Sequence, residues 1–147
     1  ASALGAGSRL GFGSELSEVE AIADDVLRRR ARHVVTENAR VLQTIALLEQ
    51  HRLDAIGPIL NEGHASLRDD LEVSCPELDL TVETAVAAGA AGARQVGGGF
   101  GGSAIALVPT AALDTVRASV TAAYAARGWK LPDFYDVTPA QGAHVLV

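Results

Sequence analysis

Apolar positions in the first half of the chain recur every three or four residues, and in the second half short alternating runs join them. The stretch "SELSEVEAIADDVLRRRARHVVTENARVLQTIALLEQ" keeps the helical period throughout. Acids come early in it, Ser14 or Ser17 is placed to cap, and the basic run from Arg28 to Arg32 predicts a break between two helices. In the second of these, Val34, Asn38, Val41, Ile45 and Leu48 fall at alternating spacings of four and three, which predicts a core-facing stripe with one polar member. "LDAIGPILNEGHASLRDDL" predicts a third helix capped by Asp54, with Pro58 in its early turns and Ile56, Leu60, His64 and Leu67 on its buried face. A fourth opens at "SCPE", where Ser74 and Glu77 stand at capping-box spacing and Pro76 occupies the first turn; it runs through Val86 and stops at Gly89.

Beyond Gly89 the pattern turns to β. "GARQV" and "SAIALV" read as short strands on either side of a glycine loop. "TAALDTVRASVTAAYAARG" is an amphipathic helix with Leu113, Val116, Val120 and Tyr124 inward and Gly128 as its stop, and "DFYDV" and "AHVLV" read as closing strands. Helices first and strands around one helix afterwards predict an α+β fold, with helices packed on a small, mainly antiparallel sheet. The aperiodic opening "ASALGAGSRLGFG" assigns residues 1–16 to a linker or exposed end and residues 17–147 to one domain.

Composition narrows the function classes. The 147 residues, 48% apolar and 20% charged, suit one globular domain. A net charge of −6, with the arginines gathered at Arg28, Arg29, Arg30 and Arg32, leaves no extended basic face for nucleic acid. Cys75, the only cysteine, excludes an internal disulfide and a cysteine-based zinc site. No apolar run is long enough to span a membrane and no signal-peptide pattern opens the chain, so the expected location is cytoplasmic.

The candidate chemistry centres on Gly97, Gly98, Gly99, Phe100, Gly101 and Gly102. A dinucleotide or P-loop motif needs its glycines to open a helix, whereas these lead into a strand, and no Lys-Ser/Thr pair follows. Either the bare backbone admits a neighbouring loop or a ligand, or the glycines relieve strain in a hairpin that would need only one or two of them. His64, Arg68, Asp69 and Asp70 cluster at one helix end: His64 lines a cleft or is a hydrogen-bonded core histidine, and Arg68 with Asp69, Asp70 and Glu72 forms a fork for phosphate or hydroxyls or a charge network pinning a loop. Cys75 reads as structural, His33 as surface or interhelical, and no metal cluster is indicated.

Three stretches, "RRRARHVVTENARV", "HASLRDDLEVSCPELD" and "GARQVGGGFGGSAIALV", together resemble the C-terminal part of galactokinases, members of the GHMP small-molecule kinases, from about Glu18 onward. The resemblance implies a ferredoxin-like C-terminal domain whose glycine loop packs against the phosphate-binding loop of an N-terminal domain, beside the cleft where galactose and Mg2+-bound ATP meet. It departs at Gln95-Val96 where Met-Thr is usual, at Leu71 for a usual Tyr and at Ser103 for a usual Cys. No stretch matches the family's sugar signature, ATP loop or catalytic aspartate, so no catalytic residue is assigned to this segment and the domain alone is expected to be inactive. A non-catalytic sugar and ATP sensor or an N-acetylgalactosamine kinase is the alternative. With the N-terminal domain as the loop's implied partner, the isolated domain is expected to have nothing against Gly99, and an apolar patch around Phe100 to favour self-association.

Overall fold

The computed structural model describes residues 15–138 and 140–142. Five helices and one β-hairpin run in the order α1 (Leu16–Glu20), α2 (Asp25–Glu49), α3 (Ile56–Asp69), α4 (Pro76–Ala87), β1 (Gly92–Val96), β2 (Ser103–Leu107) and α5 (Leu113–Ala126). The helices pack on the two-stranded antiparallel sheet that β1 and β2 form. The expected α+β class therefore holds.

Several boundaries differ from the sequence reading, each for a local reason. The break between the first two helices falls at 21–24, because Asp24 caps α2 by accepting the Leu27 N–H at 2.9 Å. Arg28 to Arg32 lie inside α2, where Asp25, one turn back, neutralises Arg28 and Arg29. Ser17 lies within α1, and Ser14 falls outside the described residues. Asp54 sits in a 3-10 turn, Leu53–Ala55, that precedes α3 and does not cap it. The residue before α4 is Cys75, with Pro76 at the first helical position. Ser74 donates to Asp79 at 2.5 Å and leaves the expected capping box unmade. "DFYDV" is not a strand, and its Phe134, Tyr135 and Val137 are exposed; "AHVLV" lies outside the described residues.

The larger correction concerns α2. Ala31 and Val35 pack on Val19 and Ile22, so one face of the helix's earlier turns is covered. Val41, Ile45 and Leu48, expected in the core, are about half exposed. The main core lies elsewhere, where Val82 and Ala85 of α4 meet Ala93 of β1 and Val116, Val120 and Tyr124 of α5. The Tyr124 ring meets Trp129 edge-on at 5.5 Å, and its hydroxyl donates to the Glu77 carbonyl at 2.8 Å. Helix α3 reaches β1 through Gly57 and Gly92, whose backbones approach so closely that a Cβ on either would collide with backbone atoms on the other side. Asn61 Oδ1 accepts the Ala93 N–H there at 2.9 Å.

Candidate functional site

The register Val96↔Ser103 leaves Gly97 to Gly102 as the hairpin loop. Gly97, Gly99, Gly101 and Gly102 all have positive φ, a conformation that glycine adopts without a Cβ penalty. A two-residue turn would not need four such positions. Phe100 also has positive φ (58°) and is 76% exposed, an arrangement that costs a non-glycine residue roughly 1–3 kcal/mol unless its surroundings hold it.

The holding group is Val73. Its carbonyl accepts the Phe100 N–H at 2.7 Å, and a Cβ on Gly99 would stand 2.5 Å from that oxygen and 2.7 Å from Val73 Cβ. The expectation that nothing in this chain abuts the loop is therefore corrected. The segment between α3 and α4 folds against Gly99, while at Gly97, Gly98, Gly101 and Gly102 no other described residue comes within 4 Å of where a side chain would begin.

Below the loop, His64 is buried and fully engaged. Its Nδ1 accepts the Gln95 N–H at 3.3 Å, which leaves Nε2–H to donate to Asp79 at 3.1 Å. Burial holds the imidazole below its ordinary pKa, outweighing the attraction of Asp79. His64 is thus a hydrogen-bonded core histidine that also forms part of the floor of a groove between α3 and α4. The groove measures about 380 Å³, and Asn61, Arg68, Val82, Glu83 and Val86 line it further. No glycine-loop residue lines it.

Arg68 and Asp69 pair with each other, at 2.8 and 3.0 Å, and Arg68 also reaches Glu83 at 3.5 Å. That pairing holds the Asp69 carboxyl below its usual range. The turn after α3 is gripped from α2: Arg29 and Arg30 bind Glu72, Arg30 binds the Asp70 carbonyl, and Arg32 reaches Asp70 Oδ1 at 3.1 Å. Glu72, with φ of 57°, is held in that conformation by two guanidiniums, and the same bonds keep its carboxyl below its usual range. The loop is pinned by Arg29, Arg30 and Arg32 of α2, whereas Arg68 pairs with Asp69 and Glu83 and takes no part in that grip. His33 joins it from beneath: Ser66 donates to Asp70 at 2.9 Å and so accepts from His33 Nδ1–H at 3.0 Å. Among the described residues, no group of three or more His, Cys, Asp or Glu side chains is placed to hold a metal ion. No helix there is long and apolar enough to cross a membrane.

Sequence reasoning missed Val73, Asn61 and the Glu37–Arg94 pair, and marked Gln95 only as a departure from the family's usual residue. Val73 acts through a carbonyl that every residue possesses, so no side-chain signal could have marked it. Arg94 meets Glu37 at 2.6 Å by passing Gly63, whose Cβ would lie 2.7 Å from the guanidinium. Burial works to raise the Glu37 pKa, but hydrogen bonds from Arg94 and Arg40 bring it below the usual value.

A hairpin with this glycine loop, laid on helices in an α+β domain, has a counterpart among known families. The GHMP kinases C terminal model matches residues 44–126, and the chain belongs to that family as a C-terminal domain. Within the family it is 56% identical over 124 residues to a galactokinase of Streptomyces coelicolor and 54% identical over 120 residues to one of Streptomyces lividans. These alignments cover 84% and 82% of this chain but 32% and 30% of the relatives, so the chain spans about a third of their length. The crystal structure of Lactococcus lactis galactokinase complexed with galactose superposes with a TM-score of 0.73 at 40% identity, over 79% of this chain and 31% of that one.

Proposed function

We propose that this chain, from about residue 17 onward, is the C-terminal domain of a galactokinase whose parent transfers the γ-phosphate of ATP to the 1-hydroxyl of galactose in the cytoplasm. The observation that carries the reading is the glycine loop: a hairpin tip fixed from its own side by Val73, with Phe100 held outward and open space above four of its glycines. Such a surface suits close approach by a second backbone, which we take to be the phosphate-binding loop of the N-terminal domain. The loop's own residues bear no charge or hydroxyl, so they suit support of that loop and not ligation of Mg2+. Phosphoryl transfer also needs phosphates cradled and a hydroxyl oriented, and those duties fall to the N-terminal domain, where Mg2+ would neutralise charge on the ATP phosphates. The exposed face of α2 and Phe100 are the surfaces offered to that domain and, in its absence, to a second copy.

The test is an ADP-release assay with galactose, N-acetylgalactosamine and Mg-ATP, run on the 147-residue chain and on the parent. Turnover is expected from the parent with galactose and none from the chain alone. Turnover by the chain alone near ordinary enzyme rates, about 1–1000 per second, would refute the divided site. A parent inert with galactose would refute the assigned activity.

A further inference from the structure

Asp79, on α4, is a branching point in the hydrogen bonding beneath the loop. Its Oδ1 accepts the Ser74 hydroxyl at 2.5 Å and His64 Nε2–H at 3.1 Å. One branch continues through His64 Nδ1 to the Gln95 N–H, near the end of β1 where the loop begins. The other fixes Ser74, whose neighbour Val73 holds the loop tip by accepting the Phe100 N–H at 2.7 Å. Gln95 lies between the two, 1% exposed, with Nε2 3.5 Å from the Val73 carbonyl and Oε1 buried without a partner among the described residues.

We infer that His64 is a positioning residue for the glycine loop, bracing its foot at Gln95 while the same carboxylate, Asp79, fixes the segment that holds its tip. The brace requires a neutral imidazole. Protonation at Nδ1 would turn the acceptor into a donor and set two N–H groups against each other in a buried place, leaving both unmet. Asp79 on α4 and Asp69 on α3 favour protonation of His64; Arg68 on α3 and Arg94 on β1 oppose it; Glu83 on α4 lines the same groove. Burial adds to the opposition, so the brace stays intact at neutral pH and opens on acidification. That the braced loop serves ATP rests on the proposed function; the bracing itself does not.

The experiment is a pH titration of the 15N-labelled 147-residue chain by NMR from pH 8 to 5, following the Gln95 and Phe100 amides and the His64 ring. The ring signals separate His64 from His33. Both amides are expected to shift with the His64 midpoint, below 6.5, and the Phe100 amide to lose about five- to tenfold of its exchange protection, the worth of roughly one hydrogen bond. His64→Gln keeps an acceptor for Gln95 and a donor for Asp79, and should abolish the titration while retaining protection at pH 5. Amides that stay flat across the His64 titration would overturn the inference, as would amides that still titrate in His64→Gln. If that variant does not fold, the unmodified chain decides. In the parent, an acid-dependent rise in KM for ATP is expected to accompany the amide shifts. Shifts without any change in that KM would leave the brace standing and overturn the loop's place in the active site.

Discussion

Three alanine substitutions in the glycine loop separate backbone conformation from close contact. Gly98 has no positive φ and nothing near its missing side chain, so Gly98→Ala should leave stability unchanged or raise it by about 0.4–1 kcal/mol through the unfolded chain. Gly97 has φ of 90° and open space, so Gly97→Ala should cost only the left-handed penalty, about 1 kcal/mol. Gly99 has the same φ, but its Cβ would stand 2.5 Å from the oxygen that accepts the Phe100 N–H. Gly99→Ala must therefore add displacement of Val73 and loss of a hydrogen bond worth about 0.5–1.5 kcal/mol, giving roughly 2–4 kcal/mol in all. At about 2–4 °C per kcal/mol for a chain of this size, the melting temperature should change little for Gly98→Ala, fall by about 2–4 °C for Gly97→Ala and fall by about 4–16 °C for Gly99→Ala. Thermal melts followed by circular dichroism, with urea titrations to check that m is unchanged, supply the measurement. Equal losses at Gly97 and Gly99 would show that Val73 does not clamp the loop. The expectation that Gly99 stands free in the domain would then be restored.

Further outcomes follow from the buried polar groups and the exposed aromatic. Burial lowers the folded-state pKa of both His33 and His64, so each contributes stability that is full above about pH 6.5 and is lost as pH falls from there toward the folded value; the melting temperature should be lower at pH 5.5 than at 7.5, and the reverse order would refute the assignment. Ser66→Ala removes the hydroxyl that His33 and Asp70 share, and should cost about 1–3 kcal/mol in urea unfolding because a buried donor is left unmet. Phe100→Ser should leave stability within about 0.5 kcal/mol, since the ring is exposed, while reducing any concentration-dependent association seen by analytical ultracentrifugation.

Element type was legible where local chemistry decided it. Of the inward residues of α5 read from their period, Val116, Val120 and Tyr124 are buried and Leu113 only partly so, and the strands flanking the loop appear within one residue of their predicted ends. Caps were less legible, because several residues competed for each. Ser74 had the spacing of a cap, yet Asp79 offered its hydroxyl a charged acceptor five residues on, and a charge-assisted bond outweighs a neutral one to the backbone. The arginine run looked like a break because a sequence shows like charges in a row. Their carboxylate partners at Glu20, Asp25, Asp70 and Glu72 are legible only once the chain is folded.

Two of the misplaced expectations, α2 and Gly99, share one cause. A helical stripe such as Val41, Ile45 and Leu48 says that a face is to be covered and not by what; in this chain α1 and α3 cover the earlier turns and leave those three half exposed. A glycine loop likewise says that something comes close, without saying whether it lies within the chain. At Gly99 the neighbour is Val73, whereas above Gly97, Gly98, Gly101 and Gly102 the described residues supply none. Periodicity and glycine content therefore count faces, and only geometry divides them between what the domain closes itself and what it leaves for a partner. The stripe on α2 and the open side of the loop are faces that the described residues leave uncovered.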